Sequence, residues 1–271
     1  MKYWLAVYRV NLRVAWAMMM QYRFAILIWA VWGFVGPLVS LAVWSAATHS
    51  RGSDVVGASQ SFGRGDFAAY FLIYMIYGHI TMSWDAFEFA YRVRTGSLSP
   101  QLLRPLHPIH ADASYNIGFK VITSIIVAPA WAVLFVLLKP TLPASPVGLF
   151  LSLPALLLAA LTRYVWQYSI AAIAFWTTRV DAINQFYFVL DAFLAGRIAP
   201  IALMPVWIAS ISRVTPFWYM GAFPVELALG RIPTFSALTG MALQVVWLIA
   251  GIVVFRAVWA AGVKQYSAVG A

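Results

Sequence analysis

The stretch EFAYRVRTGSLSPQLLRPLHPIHADASY, residues 88–115, is the longest polar break in a chain that is otherwise almost entirely apolar. It contains the start and stop signals of a short helix. The hydroxyl of Ser99 is placed to accept a free backbone N–H of the first helical turn. Pro100 suits the first helical position, where the N–H it lacks is not needed. Pro105 and Pro108 then end the helix within about two turns.

This short helix is predicted to present an apolar side. Leu102, Leu103 and Leu106 fall on or near one side of it, and Arg104 lies beside them. Since the helix is short and rigid and lies between two apolar runs, its pattern is typical of an element that docks on another protein.

Outside this stretch the composition is that of an integral membrane protein. The chain has 271 residues, of which 63% are hydrophobic and 10% charged, whereas about a quarter of a soluble domain is charged. A crossing needs about 20 apolar residues, so the length allows about six crossings. The net charge of +10 is expected from cytoplasmic Lys and Arg and does not indicate a nucleic-acid partner. The absence of cysteine excludes disulfides and thiolate metal sites.

The apolar runs therefore predict an all-α polytopic membrane protein, with residues 1–271 forming a single transmembrane domain. The six predicted membrane-spanning helices cover residues 24–47, 66–87, 116–138, 147–175, 182–204 and 235–259.

Residues 1–23 precede the first span and are amphipathic. Lys2, Arg9 and Arg13 are spaced by seven and four positions and so share one helical face. Such a helix can lie in the membrane surface with its cations toward anionic headgroups. The alternative is a simple extension of the first span.

Residues 205–234, before the last span, contain four prolines and many aromatic residues. We expect short helical pieces that form a re-entrant extracytoplasmic hairpin. Irregular backbone at membrane depth is tolerated only where it is buried in protein or faces water. An aromatic belt at the membrane interface is a compatible alternative.

The distribution of basic residues predicts the orientation. With the N-terminus inside, 11 of the 18 Lys and Arg residues fall on the inner side and five on the outer side, and Arg163 and Arg197 fall within the spans. This asymmetry favours cytoplasmic termini and a cytoplasmic 88–115 loop.

The second span carries a polar and aromatic stripe at spacings of four and three, which is one face of a continuous helix. One interpretation is the wall of a substrate path that holds a flat or cationic solute. The other is ordinary packing between helices, with the hydroxyls bonded across the contact. The stripe consists of Tyr70, Tyr74, Tyr77, Thr81, Trp84 and Glu88.

Asp191 in the fifth span and Arg163 in the fourth lie at a depth where a charge is costly. We expect them to pair in a buried ion pair, with Arg197 as the other candidate partner of Asp191. Such a pair is either a structural link or a gate or proton-coupling site.

No catalytic, cofactor-binding or metal-binding residue is predicted in this chain. His107 and His110 lie close in sequence, but prolines break the helical spacing that would bring the two imidazoles together. There is no Gly-x-x-x-x-Gly-Lys-Ser/Thr phosphate loop, so any nucleotide that drives this protein must be bound by another chain.

Three short stretches, residues 94–106, 195–205 and 216–230, together with Phe175-Trp176, resemble the membrane subunits of ABC exporters of the ABC-2 type. The layout agrees over nearly the whole chain. The likeness is greatest to the bacterial branch that includes the viologen-exporter-like systems.

This resemblance implies a permease that exports a hydrophobic or cationic small molecule, or a lipid, from a bacterial cytoplasmic (inner) membrane by alternating access. Two copies of a separate ATP-binding subunit would bind ATP and Mg²⁺. A second permease chain, identical or a sister, would complete the pathway. The short helix would be the ATPase-coupling helix, with Gly96, Leu98, Ser99, Leu102, Leu103, Arg104, Pro105 and Leu106 as its residues.

Three alternatives remain open from the sequence. The first is a proton-coupled secondary transporter that uses Asp191, Glu88 and Asp85. The second is a membrane-embedded enzyme that acts on lipid. The third is an assembly or scaffold protein.

Overall fold

The computed structural model describes residues 2–57, 60–177 and 180–266, and most of them are helical. A two-stranded antiparallel sheet, β1 (Val55–Val56) and β2 (Ser61–Phe62), interrupts the helices once. The helices are α1 Lys2–Gln21, α2 Arg23–Arg51, α3 Arg64–Thr81, α4 Asp85–Arg94, α5 Ser99–Leu102, α6 Pro108–Leu138, α7 Val147–Ala172, α8 Val180–Leu194, α9 Val206–Val214, α10 Pro216–Met220, α11 Ala222–Ala228 and α12 Thr234–Gly262.

Within the described part of the chain, four helical segments are long and apolar enough to cross a membrane. They are Phe24–Ser50, Pro108–Leu138, Val147–Phe175 and Thr234–Gly262, and they contain the predicted first, third, fourth and sixth spans. The other two predicted spans correspond to α3 and α8, which are shorter, with 18 and 15 residues. The fold is thus an all-α membrane protein.

The 88–115 stretch is more helical than the sequence predicted. α4 ends at Arg94 and α6 already begins at Pro108, eight residues before the predicted third span. The early start has a local cause. The Nδ1 atom of His107 accepts the backbone N–H of Ile109 at 3.1 Å, and Pro108 occupies the first helical position. Only residues 95–107 lie between the two longer helices, and we refer to them as the 95–107 loop.

Contacts between loops define two ends of the helix bundle. At one end, which we call the strand end, the backbone N–H of Thr141 donates to the carbonyl of Gly65 at 3.0 Å. Gly57 lies so close to the carbonyl of Ala202 that an added Cβ would be 2.2 Å from its oxygen. The start of α3, the connection after α6 and the residues after α8 therefore meet there.

At the other end, which we call the loop end, the hydroxyls of Ser99 and Tyr266 are 2.9 Å apart. Arg94 forms an ion pair with Asp181 at 3.5 Å, which brings the end of α4 to the start of α8. Because α3 and α8 each begin near one end and finish near the other, both helices run along the length of the bundle.

α3 forms the centre of the bundle. Its residues from Phe67 to Met75 are all buried, and they pack against α2, α7 and α11. Aromatic side chains fill this region, including the stacked rings of Phe67 and Trp44 at 5.4 Å. A helix that is apolar on all sides is expected in the interior, where no face meets water.

The predicted re-entrant segment consists of three short helices, α9, α10 and α11. α10 and α11 are largely buried against α7 and α12. Two close approaches hold α11 in place. Gly148 of α7 lies against the carbonyl of Leu227, and Gly240 of α12 lies against the ring of Phe223. The depth of this segment in a membrane stays a prediction.

α1 packs along the first half of α6 and not as an extension of α2, from which Tyr22 separates it. Ala15 and Met19 are buried against Phe119 and Ile122, while Arg13 is exposed. The side chain of Lys2 lies outside the described residues. An interfacial position of α1 stays a prediction.

Candidate functional site

The 95–107 loop is anchored at its base. Gly96 has a φ of +74°, a conformation that costs glycine little, and this turns the chain after α4. Leu98 is fully buried in the cluster formed by α4, α7 and α12. The prediction that Ser99 caps α5 was wrong. Leu98 is at the cap position and makes no side-chain cap, and the Ser99 hydroxyl binds Tyr266 instead.

A polar network ties this base to three helices. Arg92 of α4 donates to the amide oxygen of Gln101 at 2.8 Å and to both carboxylate oxygens of Asp112 at 3.0 and 2.5 Å. The hydroxyl of Tyr168 in α7 donates to the same carboxylate at 2.6 Å. Planar two-point contact between Arg and a carboxylate fixes both distance and orientation. The loop is therefore joined to α4, α6 and α7.

The tip of the loop, in contrast, points away from the bundle. Leu103 is 88% exposed, and its neighbours Arg104 and Pro105 are exposed as well. Leu102 and Leu106 are half-buried, so the prediction of one apolar side shared by three leucines was wrong. The reason is that α5 ends at Leu102 after four residues, too early for Leu106 to follow the helical spacing.

The pKa values of Arg92 and His107 at the loop end are determined by burial and by nearby charges. Burial alone would lower the pKa of Arg92, but the hydrogen bond and charge of Asp112 outweigh it and the pKa is raised. Burial, helped by the neighbouring His110, lowers the pKa of His107 to about 4. The His107 ring lies against Trp259, with centroids 4.1 Å apart. His107 is thus a neutral packing group at neutral pH.

The prediction that the polar stripe lies on one continuous helix was wrong. α3 ends at Thr81, and Met82 is extended with a ψ of 142°. Trp84 stands at the start of α4 with its ring 4.7 Å from Phe119, and Glu88 is exposed one turn further on. The break is polar, because the Ser83 hydroxyl donates to the carboxylate of Asp85.

The three tyrosines of the stripe are buried inside the chain. Tyr70 donates to the carbonyl of Gly196 at 2.9 Å, and the hydroxyls of Tyr77 and Ser152 are 2.5 Å apart. The Tyr74 hydroxyl lies beside Gly221, where it would be 3.1 Å from an added Cβ. The hydroxyls of Tyr70 and Tyr77 are thus bonded within the chain, and a substrate path along the stripe stays a prediction.

The structure brings Arg163 and Asp191 together. The Nη1 atom of Arg163 lies 2.7 Å from the Oδ1 atom of Asp191, and Nη2 donates to the carbonyl of Met220 at 3.2 Å. Both side chains are almost fully buried. Arg197 is instead close to Gly36 of α2. The pair links α7, α8 and the end of α10 at one point.

The three acids of the proton-coupling alternative are not brought together as one site. Asp191 is bound by Arg163, and Glu88 is exposed on α4. Asp85 is buried beside Ser83 and accepts the side-chain amide of Asn116 at 3.1 Å.

Two polar residues that were not predicted from the sequence lie near the ion pair. Gln167 follows Arg163 by one turn of α7 and is 0% exposed, and Asn184 precedes Asp191 by two turns of α8 and is 1% exposed. None of the nitrogen and oxygen atoms of these two amides has a hydrogen-bond partner in the part of the chain that the structure describes. A buried polar group without a partner costs about 1–3 kcal/mol. The available signal was the spacing of Asn184 and Asp191, seven residues apart on one face.

The long apolar helices define a multi-pass helical membrane protein. A comparison with protein-family models matches the family described as ABC-2 family transporter protein over residues 62–270, which is more than half of the chain. The chain therefore belongs to the ABC-2 transporter family and is an ABC-2 type permease. Permeases of this family are membrane transport subunits, not themselves catalytic, that work with an ABC ATP-binding partner. Neither the search of curated proteins nor that of solved structures found a match.

Proposed function

We propose that this chain is the membrane subunit of an ATP-driven exporter and that the 95–107 loop is its contact with the ATPase. The observation that carries this proposal is the contrast within the loop. Its tip exposes Leu103 beside Arg104, while its base is fixed to the bundle by Leu98, Arg92 and Ser99. An exposed apolar side chain on a rigid base loses little conformational entropy when a partner buries it.

The network at the base suits the transmission of movement. A displacement of the loop would act on α6 through Asp112, on α7 through Tyr168 and on the residues after α12 through Tyr266. ATP-driven approach of two ATPase subunits would thus move the loop ends of three helices together, as rigid-body switching requires.

The rest of the assembly belongs to the same proposal. Six crossings, with α3 and α8 as the second and fifth, place both termini and the 95–107 loop in the cytoplasm of a bacterial cell, below its inner membrane. Two ATP-binding subunits with ATP and Mg²⁺ dock there, and a second permease chain, identical or a sister, completes the pathway. The viologen-exporter-like branch favours a hydrophobic or cationic small molecule, or a lipid, as the substrate.

The test is to tag the chain, purify it from its native host in mild detergent and identify the proteins that accompany it. We expect an ABC ATPase subunit and ATP hydrolysis in the wild-type preparation. Leu103→Asp/Arg104→Glu should release the ATPase, because it places two negative charges where the apolar contact forms and burying them without partners is costly.

A matched control makes the same change of charge at the strand end. Val56 and Arg64 are both exposed there, so Val56→Asp/Arg64→Glu should retain the ATPase. If wild type carries no ATPase under gentle conditions, the proposal fails. If both double variants retain it, the ATPase binds elsewhere than at Leu103.

A further inference from the structure

The turn that follows α8 is held firmly against its neighbours. Gly196 has a φ of +78°, and its carbonyl accepts the hydroxyl of Tyr70 in α3 at 2.9 Å. Two residues further on, the carbonyl of Ile198 accepts the indole N–H of Trp44 in α2 at 2.9 Å. Hydrogen bonds on both sides of Arg197 therefore fix its backbone, and its side chain leaves the turn from a defined position.

The side chain of Arg197 lies beside the middle of α2. A Cβ added to Gly36 would be 3.7 Å from Nη2 and 3.9 Å from Nε of Arg197. Gly36 is near the centre of the apolar segment Phe24–Ser50, about 18 Å from its start and about 21 Å from its end. Trp44, which binds the turn, is about 12 Å nearer the strand end. The side chain therefore runs toward the middle of the segment, whereas arginine side chains in membrane helices usually reach toward the nearer surface.

The guanidinium group of Arg197 has no partner of opposite charge among the described residues. The ion pairs of that part of the chain involve other arginines, and none of its hydrogen bonds is donated by the side chain of Arg197. The side chain is half-buried, so it can be reached from outside the chain. Because a charge at this depth is costly, it is expected to pair with an acidic group that the single chain does not supply.

A second copy of this chain does not supply that acidic group either. The chain has eight Asp and Glu residues, and five of them are bonded to other side chains of the same copy. Of the other three, Asp54 and Glu226 lie near the strand end and Glu88 lies on α4 near the loop end. None of these three is at the depth of Gly36. The five bonded residues are Asp66, Asp85, Asp112, Asp181 and Asp191.

We propose that Arg197 binds the acidic group, a phosphate or a carboxylate, of an amphiphilic molecule within the membrane. A guanidinium group presents its donors in one plane, which matches two oxygens of such a group. Trp32 and Val39 of α2 are exposed within about one turn of Gly36 and offer apolar surface to the chain of that molecule. The site lies on the outside of the chain, as expected of a pathway that a second permease chain completes.

The binding site goes beyond the proposed function, whereas its place in the transport path rests on that function. Among the proposed substrates it favours a lipid with an acidic headgroup, because the charge of Arg197 would repel a cation.

Native mass spectrometry of the purified permease measures lipid binding. Dioleoyl phosphatidate carries a phosphate alone, and dioleoyl phosphatidylcholine carries a phosphate accompanied by a cation. Inorganic phosphate tests the headgroup without its apolar chains. We expect wild type to bind phosphatidate at least about tenfold more tightly than either of the other two, since hydrogen bonds to charged groups are the stronger ones.

Two variants that each remove one positive charge test the position of the site. Arg197→Gln should abolish the preference for phosphatidate, because the amide is neutral. Arg13→Gln, on the exposed side of α1, should retain the preference. A preference that survives in Arg197→Gln, or that falls equally in both variants, would overturn the proposal.

A second pair of variants leaves Arg197 in place and decides the matter if Arg197→Gln does not fold. Gly36→Leu adds a side chain beside the guanidinium group, where the headgroup would bind. Gly33→Leu adds the same side chain about one turn away, where an added Cβ meets no atom of the described residues within 4 Å. Binding of phosphatidate should be weakened only in Gly36→Leu, and equal binding by the two variants would refute the site.

The bound molecule can be a transported amphiphile or a resident lipid, and ATP separates the two sources. In the permease–ATPase complex held with ATP and vanadate, a transported molecule should leave the site, whereas a resident lipid should remain bound. Both results support the site. The binding measurement needs no ATPase in the preparation, so an absent ATPase would remove the ATP-driven function and keep the site. A copurified ATPase with binding that is independent of Arg197 would keep the function and remove the site.

Discussion

At the scale of single residues, the Arg163–Asp191 pair is the feature on which the interior depends most. Each charge is costly in an apolar interior, and the 2.7 Å contact compensates for that cost only while both partners are present. We expect Asp191→Asn to lower the stability of the protein by about 3–5 kcal/mol, because it leaves the Arg163 charge buried and unpaired. Thermal unfolding in detergent, followed by tryptophan fluorescence, measures this loss.

The control removes both charges. Arg163→Met/Asp191→Leu should recover most of the lost stability, since an apolar pair of similar volume replaces the ion pair without leaving a charge behind. Equal melting of Asp191→Asn and wild type would contradict a structural role. Normal folding with lost transport in Asp191→Asn would instead assign the pair to the transport step.

His107 gives the loop end a defined pH dependence. Burial against Trp259 and Phe255 lowers the pKa of His107 to about 4, from about 6.5 in an unfolded chain. Between these two values the unfolded chain binds the proton more readily than the folded one, so stability falls as the pH drops from about 6.5 toward 4. Above pH 6.5 His107 is neutral in both the folded and the unfolded chain, so its protonation does not lower the stability.

His107→Asn tests this contribution, because asparagine keeps an acceptor for the helix cap but does not titrate. The melting temperature should fall less between pH 7.5 and pH 5.0 in this variant than in wild type. The other three histidines are common to both proteins and cancel in the comparison. An identical pH dependence would show that His107 protonates freely in the folded state.

The sequence predicted Arg163 and Asp191 because an isolated charge in an apolar run demands a partner. It did not single out Gln167 and Asn184, since neutral amides are tolerated in membrane helices and often bond across a helix contact. Only the folded contacts show that these two remain without partners among the described residues. The roles of Leu98 and Tyr266 likewise depend on contacts between distant parts of the chain.

At the scale of elements, the start of α7 is held against α11 by a contact that only glycine permits. A Cβ added to Gly148 would lie 2.2 Å from the carbonyl oxygen of Leu227, which belongs to a backbone that cannot rotate away. We expect Gly148→Ala to destabilise the protein by about 1–3 kcal/mol. The melting temperature in detergent measures the effect.

Gly33 of α2 is the matched control, because an added Cβ there meets no atom of the described residues within 4 Å. Gly33→Ala should be neutral or slightly stabilising, by less than about 1 kcal/mol, since alanine favours the helix. If Gly148→Ala melts no lower than Gly33→Ala, then α7 and α11 are not in backbone contact.

Helix existence was predictable from apolar runs, whereas some helix boundaries were not. The run from residue 66 to residue 87 shows no proline or glycine pair at its break, so periodicity predicted one helix. The structure ends α3 at Thr81, where Ser83 binds Asp85 in place of the helix backbone, and starts α4 with that acid in its first turn. Whether a side chain such as Ser83 forms a local hydrogen bond in place of a continued helix depends on local geometry. The pattern of apolar residues does not reveal that geometry.

At the scale of the whole molecule, the arrangement of the two ends bears on the number of crossings. Residues 52–57, 60–65, 139–146 and 229–233 gather at the strand end, whereas residues 92–112 and 259–266 gather at the loop end. α3, with 18 residues, covers about 27 Å, close to the hydrocarbon thickness of about 30 Å. Both α3 and α8 must cross if the two ends lie on opposite sides of the membrane.

Single cysteines in this cysteine-free chain can determine on which side each end lies. Ser53, Ser97 and Ala144 are exposed, the first and third at the strand end and the second in the 95–107 loop. With six crossings and cytoplasmic termini, an impermeant maleimide added to intact cells should label Ser53→Cys and Ala144→Cys, and Ser97→Cys only after permeabilisation. If only α2, α6, α7 and α12 cross, Ser53→Cys and Ser97→Cys label together and Ala144→Cys does not. That second pattern would also place the 95–107 loop outside the cell, where no ATPase could bind Leu103, so one labelling experiment tests both the topology and the proposed coupling.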